Sequence, residues 1–172
     1  DRRGEARGLW IQAALASMLR PNLAAARVAR EVGATAATDV TGFGLAGHLA
    51  EMLRASGVSA VLEVAALPAL LGALVLLALG LRSTSHATNE RAGRGLAIAP
   101  QALAHPRLPL LFDPQTSGGL VFGVRAKDAD ACLRKLHERG ITDARIVAEA
   151  FVGKVSQPGK ELRILQRVVE YL

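Results

Sequence analysis

With 172 residues, 51% of them apolar but only 3% aromatic, the chain is long enough for one domain whose core is built from Ala, Leu and Val. A formal charge of +6 raises anionic ligands or nucleic acid as partners. The arginines are dispersed, however, with no interleaved aromatic platforms, which argues against nucleic acid, and the single Cys132 excludes an internal disulfide or a cysteine-rich metal site.

In chain order, 9–19 reads as a helix interrupted by Pro21. Asn22 is expected to cap a second helix through Val32, with Leu23, Ala26, Val28 and Val32 on one face and Gly33 as its stop. Residues 34–39 form a short strand ending in a carboxylate. Leu45, Leu49, Met52 and Leu53 share a face of a helix that stops at Gly57. Residues 59–64 alternate like a strand. The uncharged run 64–81 reaches the lower edge of a membrane span. Pro68, Gly72 and Gly80 break it, so a strand end followed by a helix over 68–79 explains it without lipid.

Residues 81–96 read as a long polar loop, and 101–104 as one helical turn. A strand over 119–125 precedes a helix over 128–139, capped by Asp128 and ended by Gly140. Cys132 falls on that helix's apolar stripe with Ala129, Leu133 and Leu136, which predicts a buried, unreactive thiol. A strand over 144–152, a turn over 153–159 and a last strand over 162–165 complete the chain. The order predicts an α+β domain with helices packed on a mixed β-sheet. There are no internal repeats. Residues 1–7 are charged and no secretory leader pattern follows, giving the expectation of a cytoplasmic chain.

Two segments carry chemistry. In TDVTGFGLAGHL (38–49), the strand delivers Asp39 to a glycine-bearing turn, and a helix begins after it. Helix N-termini attract anions and hard cations want carboxylate oxygens, so one corner can gather Mg²⁺ and phosphate. The plain alternative is a strand–turn–helix corner in which Asp39 only caps the turn, and spacing alone leaves both open. The second segment, DPQTSGGL (113–120), leads into the next strand with Asp113, Thr116 and Ser117 as oxygen donors and Gly118 and Gly119 as turn formers. Its residues can touch ligand or brace the loop.

His48 sits on an apolar helix face and reads as a satisfied core residue. His86 reads as solvent-side, and His105 and His137 lack partner spacing, which argues against a zinc site. The polar stretch 82–89, with its hydroxyls and Asn89, is a third candidate region, able to reach a phosphate or another domain.

Together the two motifs resemble the C-terminal domain of selenophosphate synthetase (selenide, water dikinase), over about residues 10–152. DPQTSGG is the discriminating string. The related aminoimidazole ribonucleotide synthetase, thiamine monophosphate kinase and hydrogenase maturation factor share the architecture with differently written motifs. The resemblance implies an aminoimidazole ribonucleotide synthetase C-terminal-like fold. It implies a parent enzyme that turns ATP, selenide and water into selenophosphate, AMP and phosphate. It implies Mg²⁺ held by several aspartates, of which Asp39 is the one from this domain. It places Thr38, Thr41, Gly42, Gly44, Asp113, Thr116, Ser117, Gly118 and Gly119 along one wall of the ATP site, with no catalytic residue here. The family's selenium-handling cysteine or selenocysteine belongs to an N-terminal domain with no counterpart in these residues. The implied partners are that domain, ATP and selenide, in a homodimeric full-length enzyme, without membrane or nucleic acid. A non-catalytic binding or scaffold module on the same fold is the competing reading.

Overall fold

A computed structural model describes residues 4–93, 97–152 and 166–170. Seven helices and five strands are ordered α1 (Gly8–Met18), α2 (Leu23–Glu31), β1 (Ala36–Asp39), α3 (Gly44–Ser56), β2 (Ser59–Leu62), α4 (Ala73–Ala78), α5 (His86–Ala92), α6 (Pro100–Leu103), β3 (Leu120–Arg125), α7 (Ala129–Glu138), β4 (Arg145–Phe151) and β5 (Gln166–Glu170) among these residues. Short 3₁₀ turns cover Val64–Ala66, Leu108–Phe112 and Ala126–Asp128.

The strands make one sheet in the order β1-β3-β5-β4-β2. Every pairing is antiparallel. The α+β class holds, and the sheet is antiparallel where a mixed one was expected. β3 explains the layering. Its Val121, Phe122 and Val124 are fully buried, so both faces of the strand are covered. Phe122 and Val124 pack with Ala25, Val28 and Ala29 of α2 and with Ala129, Cys132 and Leu136 of α7. Val121, of opposite parity, packs with Leu45 and Leu49 of α3 and with Leu111 and Phe112. β4 departs from strict alternation. A register shift between Ile146 and Ala148 lets Val147 and Ala148 both join the α3 side.

Several sequence expectations change. Asn22 and Asp128 precede their helices but make no side-chain cap bond. Asn22 Nδ2 instead donates to the Gly118 carbonyl, and Asp128 pairs with Arg125 at 2.8 Å. On α2 the buried face is Ala25, Val28 and Ala29, and Leu23 points out. The strand expected over 59–64 stops at Leu62. There Glu63 accepts a bond from the Ala65 N–H and turns the chain.

The helix expected over 68–79 is only Ala73–Ala78. Gly72 sits at φ +84° against the Trp10 ring, a conformation through which a right-handed helix does not run. No described helix is long and apolar enough to cross a membrane. The polar loop expected over 81–96 contains α5, and its last three residues lie outside the described ones. The turn at 153–159 and the strand at 162–165 also lie outside them. α1 buries no residue. It touches the body through Trp10, over which the Arg7 guanidinium lies at 5.2 Å, and leaves Leu9, Leu15 and Leu19 exposed.

Cys132 is fully buried, as its stripe predicted. Burial pushes its thiol up from 9.0 to about 11, opposed in part by Lys135. A two-unit rise cuts the thiolate fraction near neutral pH about 100-fold. Thiol titration of the native chain should therefore be slow and accelerate to the free-cysteine rate on unfolding. Rapid native labelling would contradict the burial.

Candidate functional site

The site is a seam between two loops, and the sheet makes it. β1 pairs with β3 so that Asp39 stands opposite Leu120, which brings the ends of both motifs side by side. Beyond the strand the loops stay bonded. The Val40 N–H donates to the Gly119 carbonyl at 2.9 Å, and the Gln115 N–H donates to the Thr41 carbonyl at 3.0 Å. A Cβ at Gly44, where φ is +67°, would meet the Leu111 carbonyl at 2.8 Å. A Cβ at Gly118 would run into the Val40 carbonyl. These two glycines are therefore needed for loop-on-loop approach. Gly42 is exposed and has open space where its Cβ would be.

Asp39 is exposed. Its carboxylate has no hydrogen bond or ion pair among the described residues; the one local bond, from Thr38 Oγ1, goes to the Asp39 backbone carbonyl. The first position before α3 is Phe43, and no side chain caps that helix. The turn-capping alternative therefore lacks its bond. Gly44 is buried against Leu111 and Phe112, so the helix start meets protein there. At this motif Gly42 and Phe43 are exposed, Phe43 at 60%.

Behind the loop, Thr41 Oγ1 and His48 Nε2 lie 3.2 Å apart, and the Phe43 and His48 rings are 5.5 Å between centroids. His48 is buried and satisfied, as its apolar helix face predicted.

In the second motif, Thr116 and Ser117 are exposed, with Ser117 at φ +49°, and Gly119 is buried. Asp113, Thr116, Ser117 and Gly118 line a cavity of about 250 Å³ that Met18 and Leu67 also line. Thr38, Asp39, Thr41 and Gly42 do not line it. The backbone thus joins the two motifs, and Leu45 of the first lines the cavity beside the second.

Two residues tie the seam from beneath, and sequence reasoning gave neither its place. Asn89 of α5 is buried. Its Nδ2 donates to the Gly42 carbonyl at 2.9 Å and to the Phe112 carbonyl at 3.0 Å, one in each loop. His86, expected at the solvent side, is only 2% exposed, and its Nδ1 lies 3.3 Å from Asp113 Oδ1. The signal was available in part. HATNERA contains no helix breaker and carries Glu, Arg and Ala, and His86 and Asn89 stand three apart on one helix face. Apolar periodicity is blind to a helix whose buried face is polar.

Among the described residues, no group of three or more His, Cys, Asp or Glu could hold a metal. The donor set is one uncommitted carboxylate. That suits a hard cation which takes its other oxygens from water, phosphate or another domain.

Comparison with known proteins agrees with this architecture. The profile of the family described as AIR synthase related protein, C-terminal domain, matches residues 11–158. The selenide, water dikinase of Nitratidesulfovibrio vulgaris (strain Miyazaki F) is 43% identical over 122 residues, covering 70% of this chain and 35% of that protein. That of Agathobacter rectalis is 36% identical over 152 residues, 85% of this chain and 42% of its own length. That of Shewanella baltica (strain OS155) is 37% identical over 153 residues, 88% of this chain and 41% of its length. The chain thus spans from 35% to 42% of these relatives. By its profile, its motifs and its antiparallel α+β fold, the chain belongs to the AIR synthase related family as a C-terminal domain of the selenophosphate synthetase kind.

Proposed function

We propose that this chain forms one wall of the ATP site of an enzyme making selenophosphate from ATP, selenide and water, with AMP and phosphate as the other products. The observation that carries the proposal is the uncommitted Asp39 carboxylate at the seam of two bonded glycine loops. A turn residue without a turn bond is explained when its charge is directed outward to a ligand. The relatives are selenide, water dikinases, and they supply the reaction class.

In this reading Asp39 holds one position on Mg²⁺, which when bound neutralises charge on the transferring phosphoryl oxygens. The open space where Gly42 would carry a Cβ lets phosphate approach closely. The Thr116 and Ser117 hydroxyls, exposed at the second loop, offer donors to ligand oxygens. Thr41, held by His48, and Asp113, held by His86, keep the two loops in fixed register. The remaining ligands and the nucleophile come from a domain that these residues do not contain.

Two measurements test this. The isolated chain should not form AMP from ATP when selenide is supplied, whereas the chain joined to the rest of its parent protein should. Selenide-dependent AMP formation by the isolated chain would overturn the division of labour. By calorimetry, the isolated chain should bind Mg-ATP no tighter than about millimolar, since one carboxylate leaves Mg²⁺ mostly hydrated. Low-micromolar binding that survives Asp39→Ala would contradict both the affinity and the ligand assignment.

A further inference from the structure

His86 is a costly residue to bury as the structure holds it. It is 2% exposed, and its Nε2 has no hydrogen-bond partner among the described residues. A phenylalanine or leucine of similar size fills such a place without a stranded polar atom. What the imidazole makes, and an apolar ring cannot, is the 3.3 Å contact between Nδ1 and Asp113 Oδ1. The ring is also oriented by the edge of Phe112, at 6.4 Å between centroids and 78° between planes.

The same helix turn supplies a second grip. Asn89, three residues on, holds the Phe112 carbonyl, so adjacent residues 112 and 113 are fixed from one face of α5, the first by its backbone and the second by its side chain. Asp113 keeps an exposed edge, its side chain being 37% accessible. It stands at the entrance to the loop that reaches back to Thr41 through Gln115.

We propose that His86 is a positioning residue: its Nδ1–H aims the Asp113 carboxylate and fixes the entry of the DPQTSGG loop at the site. A carboxylate only accepts, so the proton of this contact sits on Nδ1, while Nε2 has no partner among the described residues. The other ionisable groups near the ring are Arg82 and Glu90, paired with each other at 4.0 Å, and His105, whose Nδ1 accepts from the Arg107 N–H. Neither contact competes for Nδ1.

The inference rests on the reading above for its catalytic readout and on none of it for its structural one. The structural test is long-range ¹H–¹⁵N NMR of the isolated chain. His86 should be the Nδ1–H tautomer, and Asp113→Leu should abolish that preference. An Nε2–H tautomer in the wild-type chain overturns the proposal. The catalytic test uses the full-length protein. His86→Phe should lower kcat about 10- to 100-fold, in line with a misplaced reacting group, while the thermal midpoint stays level or rises. His86→Asn, whose amide can place a donor near the former Nδ1, should recover most of kcat even if its midpoint falls. Unchanged kcat in His86→Phe, or a kcat loss that tracks a falling midpoint in both variants, makes His86 a packing residue and overturns the proposal. If the wild-type full-length protein forms no AMP, the functional reading fails, and the tautomer still decides the role of His86.

Discussion

Asp39→Asn in the full-length enzyme should reduce selenide-dependent ATP turnover by about 100-fold or more, the scale of losing one preorganised electrostatic stabiliser. The substitution keeps the shape and removes the charge. It should leave folding nearly untouched, because the carboxylate is exposed and makes no bond among the described residues. Asn caps a turn about as well as Asp, so a purely structural Asp39 predicts normal turnover and normal stability. Turnover and thermal melting, measured on this one variant, therefore separate the two roles. Raised Mg²⁺ should recover part of the lost rate, since a weakened metal site fills at higher concentration. Near-normal turnover at the Mg²⁺ concentration used for the wild type would remove Asp39 from the metal site.

The second large effect is expected at Asn89. Asn89→Leu keeps the branched shape but strands the buried Phe112 carbonyl and removes the bond to the part-buried Gly42 carbonyl, two acceptors that one amide now serves. With a stranded buried polar group worth about 1–3 kcal/mol, the loss should be about 3 kcal/mol. For a chain of this size that is about 6–12 °C in the unfolding midpoint. Unlike Asp39→Asn, this change should be visible in the isolated chain. It should also slow the full-length enzyme, because the two loops lose their common tie. Thr88→Ala, in which only the exposed bond from Arg91 is lost, is the matched control and should shift the midpoint little. A midpoint for Asn89→Leu within a degree of the control would show that the backbone bonds between Val40 and Gly119 and between Gln115 and Thr41 hold the seam without it.

The motifs were legible in the sequence because each is written in adjacent residues. The strand into Asp39, the helix over 44–56 with Gly57 beyond it, and the strand after DPQTSGG lie where apolar pattern and glycine placed them. Their neighbourhood was not legible. Nothing local says that β1 lies against β3, and that pairing makes one site of two loops. The caps failed for a related reason. Asn22 and Asp128 have the chemistry of caps, but Gly118 and Arg125 offered other bonds once the chain had folded. α5 was missed because its inward residues are His86 and Asn89, where pattern reading expects Leu or Val. Site and helix share that cause: polar residues buried to hold polar loops look like surface until the loops are in place.

The position of β5 bears on how the chain comes to be folded at all. The last of the described strands, β5, is the middle strand of the sheet, bonded to β3 on one side and β4 on the other. Until it arrives, β1–β3 and β2–β4 are two separate ribbons with nothing between them. During synthesis the sheet is therefore completed only once β5 has left the ribosome. Until then the inner edges of β3 and β4 are open templates for other strands. A nascent chain halted shortly before β5 is the form in which this domain most needs a chaperone.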